Sequence, residues 1–484
     1  MDLTSSSELD RLFGPGSRGR DPEQRARTSS QVFVRSQDHL ARLSPSSTGR
    51  RLSAWEVFHA FGMDVIREVA EYGSAILPKT ADEPAATIRT RREALGLTKE
   101  NLSKASRVHL SVVEDAENPH TRTPIRDLEK IAQALGLDDR TISFVPQAGG
   151  DQGLAVRLRE LSSSPQAFSP RLISQFCEAA WVFKKQYELK RWLGIGGYGV
   201  AKEWPFQPSS QYEGAGYRAW EYGYYLAQRT RDILGIPAEQ PIESLRELIE
   251  EGLGIAIVQF ELPKSIAGAT VANGSERGIA VNVLGDNENV WVRRATLAHE
   301  LEHLLWDPEE KLRHLVVDRY KDLAKEPRQQ SRPVEARANA FAVEFLAPQR
   351  TAVEVFLSAE SSSQGLRAVM EKFGISFTSA RYHIQNKLDR KFPVEDLTVD
   401  DNWPSDDWTG RESFTVDYFR PKSVPISRRG YFAYYIVEAV SRNLITAETA
   451  ATYLACTLDE YNDNASRIRE IFSGESASLG LPVP

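Results

Sequence analysis

Two histidines and a glutamate form the pattern in this chain whose spacing points most directly to chemistry. His299, Glu300 and His303 make an H-E-x-x-H within the run L-A-H-E-L-E-H-L-L. Residues four apart share one face of an α-helix, so both imidazoles can reach the same metal ion. Glu300 lies between them and can take a proton from a water molecule at that metal. The spacing predicts a metal-dependent hydrolytic centre on an apolar helix.

A downstream helix offers a third ligand. Proline favours the first turn of a helix and often follows its end, so Pro333 and Pro348 predict where this helix begins and ends. Glu335 lies near its start, beside a face of small and aromatic residues, and would complete a site of two histidines and one glutamate. Asn339, one turn later, could orient a ligand through a hydrogen bond. Glu344 is the alternative ligand on the same helix.

The opposing interpretation is a chance H-E-x-x-H on a buried helix, with Glu335 a solvated carboxylate. Burying two histidines and two glutamates without a metal or a partner would cost free energy, because each group loses its hydration. The residues therefore favour a metal site over a coincidence.

The run T-L-A-H-E-L-E-H-L-L, followed by V-E-A-R-A-N-A-F-A-V-E-F-L-A-P, resembles the ImmA/IrrE family of bacterial and phage metallopeptidases. The blocks I-E-S-L, G-I-A-I-V, I-A-G-A and G-I-A-V-N precede it in the order that the family shows. The resemblance covers about residues 215–390. It implies a compact gluzincin-like α+β domain in which His299, His303 and Glu335 hold zinc. The family usually has glycine where this chain has Glu302, which could crowd a substrate strand or a neighbouring helix.

A second module lies upstream and consists of four short predicted helices joined by tight turns, a spacing that is typical of a helix-turn-helix. Thr98 is the expected N-cap of the second helix. The runs G-L-T-K-E-N-L and I-A-Q-A-L-G-L, with an E-N after the third helix, resemble the XRE family of repressor-like DNA-binding domains. This domain is predicted over residues 85–146.

In the XRE family the third helix enters the major groove of DNA, and the start of the second helix contacts phosphate. The resemblance implies a phosphate contact for the first of the following residues and a DNA-facing position for the others: Lys99, Arg107, His109, Leu110, Ser111 and Glu114. Between Arg89 and Arg140, ten Lys and Arg residues stand against nine Asp and Glu residues, so one copy should attract phosphate only weakly. This balance favours a homodimer on two half-sites. The alternative is a helical bundle that docks a protein and no longer reads DNA.

Composition limits the remaining interpretations. A chain of 484 residues is long enough for about two to four domains. The net charge of -7 argues against a general nucleic-acid coat protein, and two cysteines are too few for a disulfide framework or a cysteine-zinc site. The sequence contains neither an apolar run of membrane-spanning length nor an apolar N-terminal segment. We therefore expect a cytoplasmic protein without membrane contact.

The other regions are less informative. Residues 1–52 are rich in Ser and Arg and are predicted to be a disordered tail. Residues 53–80 are predicted to be one amphipathic helix, and residues 154–214 a helical connector. The glycine-rich segment 194–199 lacks the Lys-Ser/Thr of a phosphate-binding loop. Residues 391–484 are predicted to be a C-terminal arm and a helical unit.

These patterns together predict a mainly α protein with a small β-sheet (α+β). It should contain an N-terminal all-α helix-turn-helix, a central gluzincin-like metallopeptidase domain and a helical C-terminal region. We expect a DNA-binding transcriptional regulator that carries a zinc-dependent endopeptidase and cleaves a partner protein or itself. Manganese is the alternative metal, since the ligand types do not separate the two.

The family resemblance also suggests the biological role. ImmA/IrrE-like peptidases typically inactivate a helix-turn-helix repressor, which implies a repressor or toxin encoded nearby as substrate and a double-stranded DNA operator as second partner. The controlled genes would serve stress, phage, mobile-element or defence functions. The alternative is a non-proteolytic, metal-stabilised regulator or antitoxin that binds a partner protein and represses its own operon. A DNA-damage sensor would combine both.

Overall fold

The computed structural model describes residues 6–144, 169–195, 218–273, 276–307, 316–319, 333–389, 391–392, 403–412 and 424–478. These residues divide into two compact units. The first unit contains the described residues up to 195 and those from 424 onwards, and the second contains those between 218 and 412. The predicted class, mainly α with a small β-sheet, is confirmed, although the described residues form two four-stranded sheets. Every helix in the described part of the chain is too short or too polar to span a bilayer.

The N-terminal part of the first unit is a small sheet with three helices. In chain order its elements are α1 (Ser6–Phe13), α2 (Pro22–Thr28), β1 (Val32–Arg35), β2 (His39–Arg42), β3 (Arg50–Ser53), α3 (Ala54–Tyr72) and β4 (Ser74–Ile76). The sheet is antiparallel, in the order β3-β1-β2-β4. Phe33, Leu40 and Leu52 each contribute one buried side chain from a different strand.

The prediction of a disordered tail over residues 1–52 is wrong for the described part of that segment. Strands β1, β2 and β3 have only four residues each, so no single strand shows a strong apolar pattern, and the sheet collects its buried side chains from separate segments. The high arginine content also favoured the wrong prediction, because three arginines of this segment, Arg25, Arg35 and Arg50, are buried with partners. Arg50 Nε donates to Glu129 Oε1 at 3.1 Å, and Arg35 Nη1 donates to the carbonyl of Asp139 at 2.9 Å.

Helix α3 lies within the amphipathic helix predicted over 53–80 but is shorter. Ser53 and Glu56 form a capping box at its start. Gly62 interrupts its helical backbone, and Gly73 ends it in the left-handed conformation. The next residues form β4, which pairs with β2. The prediction was therefore wrong at its C-terminal end, where a sheet partner competes with helix propagation.

Four short helices then follow, which are α4 (Ala85–Ala94), α5 (Lys99–Ser106), α6 (Leu110–Ala116) and α7 (Ile125–Ala134). Thr98 Oγ1 caps α5 by accepting a hydrogen bond from the Asn101 N–H at 3.2 Å, as predicted. Helix α8 (Pro170–Leu193) packs against α5 and α7. It lies inside the predicted connector 154–214, of which residues 154–168 and 196–214 lie outside the described residues.

The second unit begins with helices and a sheet. Its elements are α9 (Ala219–Leu234), α10 (Leu245–Glu247), β5 (Ala256–Phe260), β6 (Ile266–Asn273), β7 (Glu276–Asn282), α11 (Val290–Trp306), β8 (Val316–Arg319), α12 (Pro333–Leu346), α13 (Gln349–Leu357), α14 (Ser362–Phe373), α15 (Phe377–Leu388) and α16 (Asp406–Arg411). The sheet order is β5-β7-β6-β8, with β5 parallel to β7 and the other pairs antiparallel. Helix α11 lies against β6 and β7, and α12 lies against α11 and α9.

The close contact between α9 and α12 depends on one glycine. A Cβ atom added to Gly223 would lie 2.2 Å from the carbonyl oxygen of Arg337 and 2.9 Å from the Cβ of Ala340. Only a residue without a side chain allows the two backbones to approach so closely. This contact fixes α12, which carries the predicted third ligand, against the rest of the second unit.

The last helices return to the first unit and are α17 (Tyr431–Ser441), α18 (Ala447–Leu454) and α19 (Leu458–Ser478). Ser53 Oγ donates to the carbonyl of Leu444 at 2.7 Å, which ties the last helices to the start of α3. The region predicted as one C-terminal arm and helical unit, 391–484, is divided between the two units. Its residues 403–412 belong to the second unit, where Glu412 accepts a hydrogen bond from the N–H of Leu245 at 2.6 Å.

Candidate metal centre and helix-turn-helix surface

Helix α11 carries the H-E-x-x-H side chains into the interior of the second unit. Asn289 caps the start of the helix by accepting a hydrogen bond from the Trp291 N–H at 2.9 Å. Apolar side chains on the same helix anchor it in the core, namely Leu297, Ala298, Leu301, Leu304 and Leu305. His299, Glu300 and His303 are buried as well. Buried polar groups are costly without partners, so the groups around these three define the site.

The predicted ligands converge. His299 Nε2 lies 3.2 Å from His303 Nε2 and 3.4 Å from Glu335 Oε2. The three ligand atoms all lie within 4.8 Å of one another. In tetrahedral zinc sites with bonds of about 2.0–2.1 Å, neighbouring ligand atoms lie about 3.3–3.4 Å apart. Two nitrogens and one carboxylate oxygen at these separations fit a site with three protein ligands.

The hydrogen bonds of the histidines support this fit. His299 Nδ1 lies 2.8 Å from Asn339 Oδ1, and His303 Nδ1 lies 2.9 Å from Asp307 Oδ2. Oxygen atoms of these types accept, so each Nδ1 carries the proton and donates. When both imidazoles are neutral, as a metal requires of its histidine ligands, the two Nε2 atoms present lone pairs to each other at 3.2 Å. Such a pair is stable when a cation lies between the lone pairs, which is what a metal ion would supply.

Glu344, the alternative ligand, lies in a different environment. Gln228 Nε2 donates to its Oε1 at 2.9 Å, and the Gln349 N–H donates to its Oε2 at 2.9 Å. His383 Nε2 lies 3.4 Å from the same carboxylate. Among the described residues, Glu335 is the carboxylate that groups with both histidines of the motif. The geometry therefore favours Glu335 over Glu344.

Glu302, which departs from the family pattern, is buried in an ion pair. Arg337 on α12 donates to both carboxylate oxygens of Glu302, with Nη2 at 3.2 Å from Oε2, and it also donates to Asp307. Asp307 in turn accepts from His303. The side chain of Glu302 therefore joins α11 to α12 instead of crowding a substrate strand.

This network shifts the pKa values of His303, Asp307 and Arg337. Burial alone would lower the pKa of His303, but the hydrogen bond and the charge of Asp307 outweigh burial and raise the pKa to about 9 in the metal-free protein. Burial alone would raise the pKa of Asp307, but His303 and Arg337 hold it well below its usual range. The charges of Glu302 and Asp307 keep the pKa of Arg337 above normal despite its burial. Each group is thus held in its charged form by its neighbours.

Glu302, His303 and Asp307 form a second group whose ligand atoms lie close enough to hold a metal. The guanidinium of Arg337 already contacts both of its carboxylates. A metal ion there would face a buried positive charge, so this group is better explained as an ion-pair network that orients His303.

Strand β6 holds the motif glutamate. Thr270 Oγ1 donates to Glu300 Oε2 at 2.7 Å. Gly268, two residues earlier, leaves room for the same carboxylate, since an added Cβ would lie 3.1 Å from Glu300 Oε1. The hydrogen bond fixes one oxygen of the carboxylate that the sequence assigns as the general base.

The residues that surround the ligands were partly missed in the sequence. Asn339 was predicted to orient a histidine, and it lies at His299. Asp307 was missed, although its position four residues after His303 on the same helix was a usable signal. Arg337 and Thr270 were missed because their partners come from other elements of the fold.

In the helix-turn-helix, the residues predicted to face DNA lie on and before α6. His109, Ser111 and Glu114 are exposed, as is Arg107 in the turn before α6, and Leu110 is partly buried. His109 is also the N-cap of α6, because its Nδ1 accepts a hydrogen bond from the Ser111 N–H at 3.3 Å. The imidazole is thereby fixed at the start of this helix.

Lys99, the predicted phosphate contact, lies at the start of α5 and is partly exposed. Its Nζ is 3.8 Å from Glu117 Oε2. Glu117 is buried, and its two carboxylate oxygens accept hydrogen bonds from Arg92 Nε at 2.5 Å and from Arg92 Nη2 at 2.9 Å. This carboxylate joins the end of α6 to α4 and offsets part of the charge of Lys99. The positive charge available to phosphate at this surface is therefore even weaker than the sequence indicates.

Two family models match parts of the chain. One, described as helix-turn-helix, matches residues 88–141, and the other, described as IrrE N-terminal-like domain, matches residues 252–385. Both resemblances found in the sequence are thus confirmed, and the chain combines a helix-turn-helix region with a region similar to a metallopeptidase family. A comparison with curated proteins gave no match.

Proposed function

We propose that this protein is a cytoplasmic, DNA-binding regulator whose second unit is a zinc-dependent endopeptidase. The observation that carries the proposal is the convergence of His299 Nε2, His303 Nε2 and a Glu335 carboxylate oxygen within 4.8 Å. Glu300 extends from the same helix turn as the two histidines, and its carboxylate is held by Thr270. Two imidazoles, one carboxylate and a neighbouring base are the donor set of a hydrolytic zinc site, with manganese as the alternative metal.

When bound, zinc would polarise a peptide carbonyl and make a water molecule more acidic. Glu300 would take the proton of the attacking water and return it to the leaving amine. Thr270 positions Glu300 by its hydrogen bond at 2.7 Å. Asn339 and Asp307 orient the two imidazoles so that each Nε2 faces the third ligand.

We propose that the substrate is a helix-turn-helix repressor or a toxin encoded nearby, or this chain itself. The family match supports a protein substrate, and the fused helix-turn-helix supports proteolysis close to an operator in double-stranded DNA. Acidic residues on α6 weaken phosphate attraction for one copy, so a homodimer would engage two half-sites. The controlled genes would belong to stress, phage, mobile-element or defence systems.

The test is a comparison of the wild-type protein with Glu300→Gln in the native host, with and without DNA damage. Newly formed protein N-termini would be mapped by mass spectrometry. The variant should keep its metal but lose peptide cleavage by about 10²–10⁴-fold, since it lacks the general base. Glu354→Gln, which changes an exposed glutamate on α13, is the matched control and should cleave as the wild type does.

Retained cleavage by metal-replete Glu300→Gln would contradict the assigned role of Glu300. Identical sets of N-termini for both proteins, with metal present in each, would favour the second candidate. That candidate is a non-proteolytic, metal-stabilised regulator or antitoxin that represses its own operon. The burial of His299, Glu300 and His303 favours it, because a metal held away from solvent stabilises a fold. The departure from the family pattern at Glu302 does not favour this candidate, because the Glu302 side chain pairs with Arg337 and leaves the three ligands in place.

A further inference from the structure

A cavity of about 840 Å³ lies within the first unit, whereas the metal ligands belong to the second unit. Helices α5 and α7 of the helix-turn-helix form one side of it. The start of α8, the turn before α17 and the segment that joins α18 to α19 form the rest. Cavities of about 300–1,000 Å³ are the size that small-molecule ligands occupy.

The cavity carries more positive than negative charge. Six cationic side chains line it, against three carboxylates. Arg126 pairs with Glu448 at 3.3 Å, and Arg428 pairs with Glu178 at 2.9 Å. The other lining cations include three that have no carboxylate within ion-pair distance among the described residues, namely Lys104, Arg107 and Arg171. Lys104 and Arg107 come from the end of α5, whereas Arg171 comes from the first turn of α8.

A buried amide on the cavity wall also lacks a partner. Gln133 is 3% exposed, and its Oε1 accepts a hydrogen bond from Arg428 Nη1 at 3.0 Å. This bond fixes the orientation of the amide, so the Nε2 is a donor, and it has no hydrogen-bond partner among the described residues. Arg428 is itself held by the carbonyls of Thr452 and Tyr453 at 3.2 and 3.0 Å. An unpaired buried donor is costly, and an acceptor on a ligand would relieve it.

The geometry points to a binding site for a small phosphate-bearing molecule of nucleotide size. Lys104, Arg107 and Arg171 provide positive charge for phosphate oxygens, and Gln133 provides a fixed donor deeper in the wall. The first turn of the 24-residue helix α8 lies at the same place, and its N–H groups add to the positive potential. Charge, a fixed donor and a helix N-terminus thus meet in one concave site.

The position of the cavity gives the ligand a way to act on the helix-turn-helix. A molecule that touches α5 and α8 together would hold these helices in one arrangement. If the proposed DNA binding holds, ligand affinity and DNA affinity would be linked, and each would change the other by the same factor. Ligand binding itself depends neither on DNA nor on proteolysis, so it can be tested separately.

The test is isothermal titration of the full-length protein with ADP and with inorganic pyrophosphate, and with adenosine as the uncharged control. ADP and pyrophosphate should bind, and adenosine should bind at least tenfold more weakly, because charge-assisted hydrogen bonds to phosphate supply most of the affinity. The double variant Lys104→Gln/Arg171→Gln should bind ADP at least tenfold more weakly than the wild type. Arg20→Gln, which changes an exposed arginine outside the cavity, should bind ADP as the wild type does.

A second variant tests the amide. Gln133→Glu keeps the size of the side chain and the contact with Arg428, but it places a negative charge where the donor was, so ADP binding should be lost while the circular dichroism spectrum is unchanged. Absence of ADP and pyrophosphate binding to the wild type up to millimolar concentration would overturn the proposal. Equal binding by wild type and the double variant would do so too. Displacement of ADP by a duplex oligonucleotide, with the same variants affected, would assign the cavity to the DNA surface and overturn it as well.

Discussion

The candidate metal centre in the second unit and the charged cavity in the first unit differ in whether their charged side chains have partners of opposite charge. At the metal centre the polar side chains pair with one another. His303 is hydrogen-bonded to Asp307, and Glu302 forms an ion pair with Arg337. In the cavity, the lining residues Lys104 and Arg171 have no carboxylate within ion-pair distance among the described residues. The first site is assembled before a ligand arrives, whereas the second depends on a ligand to balance its charge.

This difference predicts how each site responds to substitution. A preassembled network of buried charges should lose stability sharply when one member is removed, because the remaining charges stay buried without compensation. An exposed and unbalanced surface should tolerate substitution in the free protein and change only when a ligand is added. Variants can therefore distinguish the two kinds of site. A substitution in the first should lower the stability of the free protein, whereas a substitution in the second should change only ligand binding.

The largest effect is expected for Arg337→Leu. This change leaves the buried carboxylates of Glu302 and Asp307 without their counter-charge, at a cost of about 3–5 kcal/mol in the stability of the second unit. Hydrogen–deuterium exchange of α11 peptides in the full-length protein measures this loss without interference from the first unit. The double variant Glu302→Leu/Arg337→Leu should recover a large part of it, because one unpaired charge has also been removed. Wild-type protection in Arg337→Leu would show that the network does not stabilise the site.

A smaller effect is expected for Asp307→Asn, which weakens the orientation of His303 without removing a ligand. Loss of an outer partner of a metal-binding histidine typically lowers metal affinity by about 10–100-fold. Competition with a chromophoric chelator measures the zinc affinity directly and requires no substrate. Asp232→Asn, an exposed change on α9, is the matched control. Equal zinc affinities for wild type and Asp307→Asn would contradict the inference that Asp307 orients His303 for metal binding.

Zinc affinity should also depend on pH through His303. The pKa of His303 is about 9 in the metal-free protein, against about 6.5 when unfolded. The proton on His303 therefore stabilises the metal-free fold fully below about pH 6.5, and this contribution is lost as the pH rises through about 9. Since zinc must displace that proton, its affinity should fall by up to about tenfold for each pH unit from pH 9 down to pH 6.5. Chelator competition at several pH values measures the slope, and a flat profile in this window would contradict the prediction.

The comparison also explains what could be predicted from the sequence. His299, Glu300 and His303 share one helix, so local periodicity placed them together, and the helix predicted between Pro333 and Pro348 offered Glu335 as the third ligand. Arg337 and Thr270 could not be predicted, because each meets its partner only when separate elements pack. The cavity was missed for the same reason, since its walls come from residues far apart in the chain. The N-terminal sheet was missed because its strands are short and two of its arginines are buried.

The smallest effect is expected on the surface of α6, where Glu114→Gln removes one exposed negative charge. If α6 faces DNA, this change should strengthen binding to non-specific duplex DNA by about two- to fivefold at low salt, the range expected for one exposed charge interaction. The gain should shrink as salt rises, because screening shortens the reach of the charge. Fluorescence anisotropy at two salt concentrations measures both, with Glu23→Gln, an exposed change on α2, as the control. An equal gain in both variants would show that only net charge matters and that α6 is no closer to DNA than α2.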